Sequence, residues 1–426
     1  MVGNGGYQPL VTHLECDSCG QHFPPGQVEL VCPDCGPDLG TLTVHYDYRQ
    51  VAGILTRRAL EQNREQSHWR YLDILPVARR PARLHPRVGW TPLYRLDELA
   101  GRFGVRRLWV KDDGINPSAS FKDRASSVGV AHALALGRRV ITAASTGNAA
   151  SSLSLFAACA GLETVIFVPA TAPPAKLAQL LLFGARVLAV DGSYDQAFDL
   201  CLQVAQSRDL YCRNTAVNPV LSEGKKTAAL EICEQLDFRP PRAVVVAVGD
   251  GCIIGGLWKG FQDFRRLGLI DNLPRMYGVQ AAGSAPLVEA FERGDSNALS
   301  TCLDDPHTVA DSICVGHPRD HIKALRAVRQ SGGAMVAVED EAIMEAMRTL
   351  ARRAGIFAEP AGATALAGLG RLGELGLLGR DDDVVVLVTG NGLKDVAAAV
   401  RAAGREPEGV AAELAAVEAR LDAGEG

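Results

Sequence analysis

Short apolar runs alternate with longer segments of small and amphipathic residues through most of the chain. Runs such as residues 140–144 and 383–388 predict buried strands, because they are rich in β-branched residues and bounded by turn residues. Segments of about a dozen residues, such as 125–136 and 149–159, predict helices, and a glycine closes each of them. This alternation predicts βαβ units built around parallel sheets, which is an α/β fold.

The pattern divides the chain into predicted elements, with a polar, arginine-containing connection at residues 59–83. Predicted strands cover residues 107–111, 140–144, 164–168, 187–190, 243–248, 276–280, 334–338 and 383–388. Predicted helices cover residues 125–136, 149–159, 176–182, 197–206, 227–236, 257–267, 340–354, 361–372 and 408–423. The last of these helices is acidic and amphipathic.

The length and charge of the chain limit the classes of protein to which it can belong. A chain of 426 residues exceeds one ordinary core, so we expect two or three domains. A net charge of −5 and a pI of about 6.0 argue against binding to nucleic acid. No apolar run approaches the roughly 18 residues of a membrane span, so we expect no membrane partner. The first residues lack a basic region followed by an apolar stretch, so we expect no secretory signal.

Four of the eleven cysteines form two Cys-x-x-Cys pairs, Cys16 with Cys19 and Cys32 with Cys35, at a spacing typical of a zinc ribbon. Four thiolates leave no open coordination position, so a bound zinc ion would be structural. Four free thiols, or a ribbon that has lost its metal, are the alternatives. The segment has no Lys or Arg, which favours a folding module over a nucleic-acid binder. The other cysteines are scattered, as expected in a reducing cytoplasm.

Lys122 lies where a turn meets a predicted helix, in the run Asn-Pro-Ser-Ala-Ser-Phe-Lys-Asp-Arg at residues 116–124. Asn-Pro opens a turn, and Ser118 or Ser120 is expected to cap the helix that follows. The positive end of the helix dipole disfavours a charged lysine, and the neutral amine is the form that reacts with aldehydes. An ordinary solvated lysine is the alternative for this residue considered alone.

A glycine-containing loop, Gly-Asp-Gly-Cys-Ile-Ile-Gly-Gly at residues 249–256, follows a predicted buried strand. Such a loop can turn successive backbone N–H groups toward a phosphate at the positive end of a helix. An ordinary glycine-rich turn is the alternative. Asp250 brings a carboxylate to this loop, and we expect its side chain to point away while its N–H binds the phosphate.

Three motifs resemble those of one enzyme family, in the same order along the chain. Ser-Phe-Lys-Asp-Arg at residues 120–124 is similar to the pyridoxal phosphate lysine motif of the threonine synthase group, within the tryptophan synthase β family of fold type II. Ser-Thr-Gly-Asn at residues 145–148 and Thr-Gly-Asn-Gly-Leu-Lys-Asp at residues 389–395 resemble that group's second and late motifs.

The resemblance implies two parallel-sheet α/β domains of the fold type II architecture, preceded by a small zinc ribbon. The implied units are a zinc-ribbon-like module at residues 1–50, a large cofactor-binding domain at residues 51–127 and 216–407, a smaller substrate domain at residues 128–215, and an acidic helix at residues 408–426. The resemblance also implies a cytoplasmic homodimer that binds pyridoxal 5′-phosphate and acts on a small amino acid.

The resemblance assigns roles to single residues. Lys122 would hold the cofactor as a Schiff base and then remove the α proton of the substrate. Thr389 would face the ring nitrogen with a hydroxyl, which favours elimination and replacement over transamination. The cofactor set is Lys122, Phe121, Asn148 (for the ring oxygen), Gly249, Asp250, Gly251, Cys252, Ile253 and Thr389. The set for the substrate carboxylate is Ser145, Thr146, Gly147 and Ala149. The Glu-Pro-Ala-Gly turn at residues 359–362 resembles a segment near the cofactor, and a bare turn is its alternative.

The stretch Asn-Pro-Val-Leu-Ser-Glu-Gly-Lys-Lys-Thr at residues 218–227 departs from the family pattern. Leu221 stands where the family has an arginine for the phosphate of O-phosphohomoserine, and His132 aligns with a family lysine. Loss of a charge-assisted phosphate contact weakens binding markedly unless another cation compensates for it. The candidates for this compensation are Lys225, His317 and Arg319.

Three functions stay open at this point. The first is a threonine synthase that acts on O-phosphohomoserine. The second is a related enzyme that eliminates or replaces a group on phosphoserine or another specialised amino acid, which Leu221 favours. The third is a non-enzymatic cofactor-binding regulator or a zinc-ribbon nucleic-acid binder, which the acidic charge and the Lys122 motif disfavour.

Overall fold

A computed structural model describes residues 4–172 and 174–423 of the chain. Its strands are β1 (Val11–Cys16), β2 (His22–Phe23), β3 (Leu42–Tyr46), β4 (Leu93–Arg95), β5 (Arg107–Asp112), β6 (Val140–Ala144), β7 (Glu163–Pro169), β8 (Arg186–Val190), β9 (Tyr211–Cys212), β10 (Ala243–Ala247), β11 (Arg275–Ala281), β12 (Met335–Val338) and β13 (Asp383–Val388).

The α-helices in the same residues are α1 (Gly36–Leu39), α2 (Tyr48–Ile54), α3 (Arg57–Gln62), α4 (Asp97–Arg102), α5 (Lys122–Ala135), α6 (Asn148–Ala160), α7 (Pro174–Leu182), α8 (Tyr194–Ser207), α9 (Val220–Gln235), α10 (Cys252–Arg266), α11 (Pro286–Arg293), α12 (His321–Ser331), α13 (Asp340–Thr349), α14 (Pro360–Glu374), α15 (Val396–Ala403) and α16 (Leu414–Asp422). A π-helical turn (Leu350–Ala354) extends α13. Short 3₁₀ helices cover His68–Ile74, Asp113–Ile115, Ala282–Ser284, Leu299–Thr301, Asp311–Ile313 and Gly392–Lys394.

The larger sheet has six strands in the order β12-β11-β10-β13-β5-β4. Neighbouring strands pair in parallel, apart from the edge strand β4, which runs antiparallel to β5. Successive side chains of β10 enter different hydrophobic clusters. Val244 and Val246 pack with residues of α9, α10 and α12, whereas Val245 packs with residues of α13 and α14. Helices therefore cover both faces, which explains why this strand reads as a continuous valine run.

The smaller sheet has four parallel strands in the order β8-β7-β6-β9, all of them between residues 140 and 212. Helices α6 and α8 contact strands β6 and β7. In open α/β sheets, ligands bind outside the carboxyl ends of the strands. Residues 145–148 follow β6, the glycine loop follows β10, and Thr389 follows β13, so three of the sequence motifs lie at such ends.

The N-terminal segment forms a three-stranded antiparallel sheet in the order β2-β1-β3. It is attached to the rest of the chain by buried polar contacts as well as apolar ones. The Tyr46 hydroxyl donates to Glu223 on α9 at 2.6 Å, and the Tyr48 hydroxyl donates to Asp263 on α10 at 2.7 Å. The α/β class with two parallel sheets is thus confirmed, whereas the predicted domain boundaries stay predictions.

Several helices begin earlier than the hydrophobic pattern predicts. Helix α5 begins at Lys122 instead of residue 125. Helix α10 begins at Cys252 instead of residue 257, so only residues 249–251 of the predicted glycine loop precede the helix. Helix α9 begins at Val220 instead of residue 227, because Pro219 already adopts helical φ and ψ angles before it. Most of the stretch that departs from the family pattern is therefore helical, with buried side chains.

The pattern also missed elements. Strand β4 was not predicted, because its three residues are too few to give a pattern. Helices α11, α12 and α15 were also missed, although apolar residues recur in each of them at helical spacing. The predicted C-terminal helix at residues 408–423 is shorter, covering Leu414–Asp422, and no residue of it is buried. Among the helices that the structure describes, none is both long and apolar enough to cross a membrane.

Candidate functional site

Lys122, Asn148, Thr389 and the glycine loop come together around one cleft, with Phe121 at its edge. They reach it from the start of α5, the start of α6, the end of β13 and the β10–α10 connection. A larger adjoining cleft, with a volume of about 540 Å³, also contains Lys122 and Asn148. Its lining includes all four residues that the resemblance assigns to the substrate, namely Ser145, Thr146, Gly147 and Ala149. Residues from separate motifs therefore share one site.

The first turn of α5 fixes the position of Lys122. The Phe121 N–H donates to the Thr389 carbonyl at 2.8 Å, which ties this turn to the end of β13. Asp123 accepts one hydrogen bond from the Ser118 N–H at 2.7 Å and another from the Ser118 hydroxyl. The predicted serine cap is wrong, because no side chain caps this helix and the Ser118 hydroxyl is bound to Asp123 instead.

Lys122 has the electrostatic surroundings of a reactive amine. Burial, helped by the positive charges of Lys225 and Arg213, lowers the pKa of Lys122 from its ordinary value of 10.5 to about 8. About a tenth of the Lys122 amine is therefore neutral at pH 7, far more than for an ordinary lysine. A neutral lysine amine can attack an aldehyde or accept a proton, which an ordinary surface ammonium cannot do.

The glycine loop requires glycine at residue 251 and leaves little space for a side chain at residue 249. Gly251 has a φ of +96°, and a Cβ atom added there would lie 2.7 Å from the Asp320 carbonyl oxygen. A Cβ atom on Gly249 would lie 3.0 Å from the Cα of Ile313. The loop thus brings bare backbone to the N-terminus of α10, where N–H groups lack helical partners and favour an anion.

The carboxylate of Asp250 accepts a hydrogen bond from the Arg319 N–H at 3.3 Å, and burial raises its pKa. Residue 250 also lines both clefts. That its side chain points away from the loop therefore stays a prediction.

Asn148 is the first residue of α6, and its amide is held by a carboxyl group from another part of the chain. The Asn148 Nδ2 donates to Glu359 Oε1 at 2.8 Å, and Glu359 directly precedes α14. Burial raises the pKa of Glu359 from 4.5 to about 7, although the positive charge of Lys394 opposes this rise. The Glu-Pro turn named from the sequence thus brings a carboxyl group that titrates near neutral pH to the cleft.

Glu359→Gln is expected to change the pH dependence of apoprotein stability. The folded pKa of Glu359, about 7, exceeds its ordinary value of 4.5, so its contribution to stability is fully present below pH 4.5 and is lost as pH rises through 7. Glutamine keeps the acceptor for Asn148 and never ionises. We expect the variant to match the wild type at pH 5 and to exceed it by about 1–3 kcal/mol at pH 8 in urea unfolding. An equal difference at both pH values would contradict the assignment.

Cationic side chains gather in the larger cleft. Arg213, His317 and Arg319 line it together with Lys122. Arg213 follows β9, and its Nε donates to the Ser126 hydroxyl on α5 at 3.2 Å. Arg213 was not among the residues predicted from the sequence, where its one signal is its place at the carboxyl end of the two-residue strand β9. His317 and Arg319 were named as candidates, and both reach the cleft.

Leu221 and His132, the two departures from the family pattern, lie in packed regions instead. Leu221 is fully buried, and its Cδ2 is 2.9 Å from where a Cβ atom on Gly129 would be, so it fills the contact between α9 and α5. The His132 ring bonds to the Tyr211 hydroxyl at 3.0 Å and to the Gly5 carbonyl at 2.9 Å, and burial lowers its pKa to about 4. Neither residue is part of the cleft linings described above, so neither supports a changed substrate.

The four paired cysteines form a cluster that can hold zinc. Their Sγ atoms all lie within 4.8 Å of one another, and those of Cys19 and Cys32 are 3.8 Å apart. Tetrahedral coordination with Zn–S bonds of about 2.3 Å places sulfur atoms at about this separation. Cys16 ends β1, and Cys35 precedes α1, so one ion would tie the two halves of the module together.

Cys32→Ser is expected to lower the zinc content of the purified, untagged protein from about one ion per chain to near none. Because the thiolates would otherwise face each other without a cation, we also expect the module to lose order and the midpoint of thermal unfolding to fall. Metal analysis by mass spectrometry and a thermal scan measure the two effects. Cys159→Ser, outside the cluster, is the control and should change neither.

A second group of possible metal ligands lies on the same module. One ligand atom each from His13, Glu15 and His22 lies within 4.8 Å of the others, and His45 Nε2 is 2.9 Å from Glu15. The positive charges of Lys259 and Arg266 act on His45, however, and oppose a further cation. We therefore assign no ion to this group.

The sequence of this chain is similar to one family of known enzymes and to individual members of it. Residues 84–390 match the profile of the family described as Pyridoxal-phosphate dependent enzyme. Threonine synthase of Methanocaldococcus jannaschii is 41% identical over 388 residues, which is 91% of this chain and 94% of that protein. Threonine synthase of Methanosarcina acetivorans is 41% identical over 90% of this chain and 92% of that protein. Threonine synthase of Mycobacterium tuberculosis is 39% identical over 76% and 87%.

Solved structures share the architecture at lower identity. Diaminopropionate ammonia lyase from Escherichia coli has a TM-score of 0.64 at 20% identity and covers 83% of this chain and 91% of that one. Threonine deaminase isoform 2 from Solanum lycopersicum has a TM-score of 0.63 at 22% identity and covers 74% and 87%. These neighbours support the fold, and the sequence relatives support the chemistry.

Proposed function

The chain belongs to the pyridoxal-phosphate-dependent enzymes and, within them, to the threonine synthase family, and from this premise we propose that it converts O-phosphohomoserine and water to threonine and phosphate. The observation that carries the proposal is that Lys122 shares a cleft with Arg213, His317 and Arg319. The lowered pKa of Lys122 suits proton transfer, and the cations suit a substrate that carries a phosphate.

The residues around Lys122 fit pyridoxal phosphate. The glycine loop has no space for a side chain at Gly251 and little at Gly249, and it opens the N-terminus of α10 toward an anion. Beside it, the Lys225 ammonium is buried and has no hydrogen-bond acceptor among the described residues. A phosphate group at this loop would meet both backbone donors and a buried positive charge, so a phosphate-bearing cofactor suits the site.

When bound, pyridoxal phosphate supplies an aldehyde that reacts with amino groups and an electron-withdrawing ring that accepts negative charge. Lys122 would hold the aldehyde end and then move a proton at the α carbon of the substrate. Asn148, which Glu359 orients, would contact the ring oxygen, and the Thr389 hydroxyl would face the ring nitrogen. The loss of phosphate from the γ carbon and the addition of water at the β carbon then complete the conversion.

The carboxylate and the phosphate of the substrate would bind in different parts of the site. The start of α6, with Ala149 in its first turn and Ser145, Thr146 and Gly147 in its connection to β6, would bind the substrate carboxylate. Free N–H groups at a helix N-terminus attract anions. The cations of the larger cleft would bind the leaving phosphate. Arg213 is the strongest candidate, because its hydrogen bond to Ser126 holds it on the helix that begins with Lys122.

The proposal is tested by supplying the purified protein, loaded with pyridoxal phosphate, with O-phosphohomoserine. Equal amounts of threonine and inorganic phosphate should appear, and O-phosphoserine should be a much poorer substrate. Arg213→Leu should lower kcat/KM for O-phosphohomoserine by roughly 10- to 100-fold, the effect of a lost charge-assisted contact. Arg213→Lys should recover part of this loss, and Arg371→Leu, on the surface, should have no effect. Turnover of O-phosphoserine but not of O-phosphohomoserine would contradict the proposal.

Oligomeric state and location belong to the same proposal. We expect a homodimer, as the family resemblance implies, and sedimentation velocity measures this directly. We also expect a reducing cytoplasm, because none of the described cysteines forms a disulfide, including buried ones such as Cys201 and Cys233. In the proposed function the substrate is a small amino acid, and the reaction needs no nucleic-acid or membrane partner.

A further inference from the structure

Lys225 differs from the other fully buried lysines in having no partner for its ammonium. Its side chain on α9 is fully buried, and its Nζ has no hydrogen-bond acceptor among the described residues. Lys111 pairs with Glu231 at 2.6 Å, and Lys226 pairs with Asp263 at 2.9 Å. A buried charge without a partner is strongly unfavourable. A fold that keeps Lys225 in this state therefore points to a partner that arrives from outside the chain.

The position of Lys225 identifies the chemistry of that partner. A Cβ atom on Gly256 would lie 2.9 Å from the Cβ of Lys225, so α9 packs closely against the first turns of α10. The charge of Lys225 acts on Lys122, Asp250 and Cys252, which surround the glycine loop. Two lysine side chains and a helix N-terminus thus converge on one small volume, where the carboxylates of Asp250 and Asp320 oppose them, and Asp320 also lies 3.7 Å from the Lys323 ammonium. An anion that binds there would offset the remaining positive charge.

We propose that Lys225 binds the phosphate of pyridoxal phosphate, adding a charged donor to the backbone N–H groups of the glycine loop. The proposal rests on the cofactor of the proposed function and does not depend on its substrate. Lys225 lines neither the larger cleft, where Arg213 and Arg319 lie, nor the smaller one, but its side chain packs against the first turns of α10, which follow the glycine loop, so the cofactor phosphate suits it better than a substrate phosphate. Lys225 acts here as a binding and positioning residue.

The test compares two ligands that differ only in the phosphate. Apoprotein is titrated with pyridoxal phosphate and with pyridoxal, and binding is followed by the visible absorbance of the bound ligand. Lys225→Met should weaken pyridoxal phosphate by roughly 10- to 100-fold, the effect of a lost charge-assisted hydrogen bond, and should change pyridoxal by less than about twofold. Lys225→Arg should recover part of the affinity for pyridoxal phosphate, because it restores the charge.

Apoprotein stability supplies a readout that a merely structural role would not give. Removal of an unpaired buried charge should leave the apoprotein of Lys225→Met as stable as the wild type or more stable. Lys323→Met is the matched control, because Lys323 also packs against the first turns of α10 but donates to the Leu42 carbonyl at 2.8 Å and lies 3.6 Å from Asp17. It should destabilise the apoprotein and leave the ratio of the two ligand affinities unchanged.

Two results would overturn the assignment. If Lys225→Met weakens pyridoxal and pyridoxal phosphate equally, Lys225 only supports the fold. If the variant binds both ligands like the wild type but has a raised KM for O-phosphohomoserine, Lys225 belongs to the substrate. Failure of the wild type to form threonine would leave the ligand comparison intact, so the two proposals are tested separately.

Discussion

Lys122→Ala is expected to lower turnover by about 10³-fold or more, since it removes both the covalent attachment of the cofactor and the group that moves the α proton. The visible absorption band of lysine-bound cofactor should disappear with it. Lys122→Arg is the matched variant, because it keeps a long cationic side chain but offers no amine that reacts with an aldehyde. We expect it to be equally inactive, and activity in Lys122→Arg would contradict the assignment.

The pH dependence of cofactor attachment tests the same residue without turnover. Only the neutral amine of Lys122 reacts with an aldehyde, and its pKa is lowered from 10.5 to about 8. The rate at which the wild-type apoprotein takes up pyridoxal phosphate should therefore rise about tenfold per pH unit up to pH 8 and level off above it. A rate that still rises at pH 10 would show that the surroundings of Lys122 leave its pKa unchanged.

Small amines separate the two roles of Lys122. Lys122→Ala leaves space beside the cleft, so an added alkylamine such as methylamine can take the place of the missing amine as a base. We expect partial rescue of turnover that increases with amine concentration and with pH. Rescue by amine but not by sodium chloride of equal ionic strength would distinguish proton transfer from a charge effect.

The parts of the site that sequence reasoning found are those encoded by contiguous residues. A lysine in a turn before a helix, and glycines between a buried strand and a helix, each carry their geometry within about ten residues. The carboxyl ends of β6, β10 and β13 then bring these segments to one edge, as the rule for parallel sheets requires. The cofactor and the fold were predictable for this reason.

The parts that sequence reasoning missed depend on contacts between distant segments. Asn148 and Glu359 are 211 positions apart, and nothing near either residue indicates that the carboxyl group orients the amide. Arg213 follows a strand too short to give a pattern. Leu221 shows a second limit, because a motif gives the position of a residue along the chain but not the face of the helix on which its side chain lies. The structure places it against Gly129, inside a helix contact.

The largest expected effect on stability comes from Arg124, the last residue of the lysine motif. Its guanidinium donates to Asp113 at 2.6 Å and also to Glu231, and Glu231 accepts from Lys111 at 2.6 Å. All four side chains are fully buried and carry two positive and two negative charges, so the group is neutral as a whole. The cations hold the pKa of Glu231 well below its usual range.

Arg124→Met is expected to lower the free energy of unfolding of the apoprotein by about 3–5 kcal/mol, because it leaves the buried carboxylate of Asp113 without the cation that pairs with it. Arg371→Met removes an exposed pair with Glu374 and should cost less than about 1 kcal/mol. Urea unfolding measures both. In a double-mutant cycle, Arg124→Met combined with Asp113→Asn should cost less than the sum of the two single changes, because the pair removes opposite charges together. Additive costs would mean that Arg124 acts through packing alone.

Since Arg124 lies two residues after Lys122 on α5, the loss of this network should also weaken cofactor binding, through the position of the helix and not through any contact with the ligand.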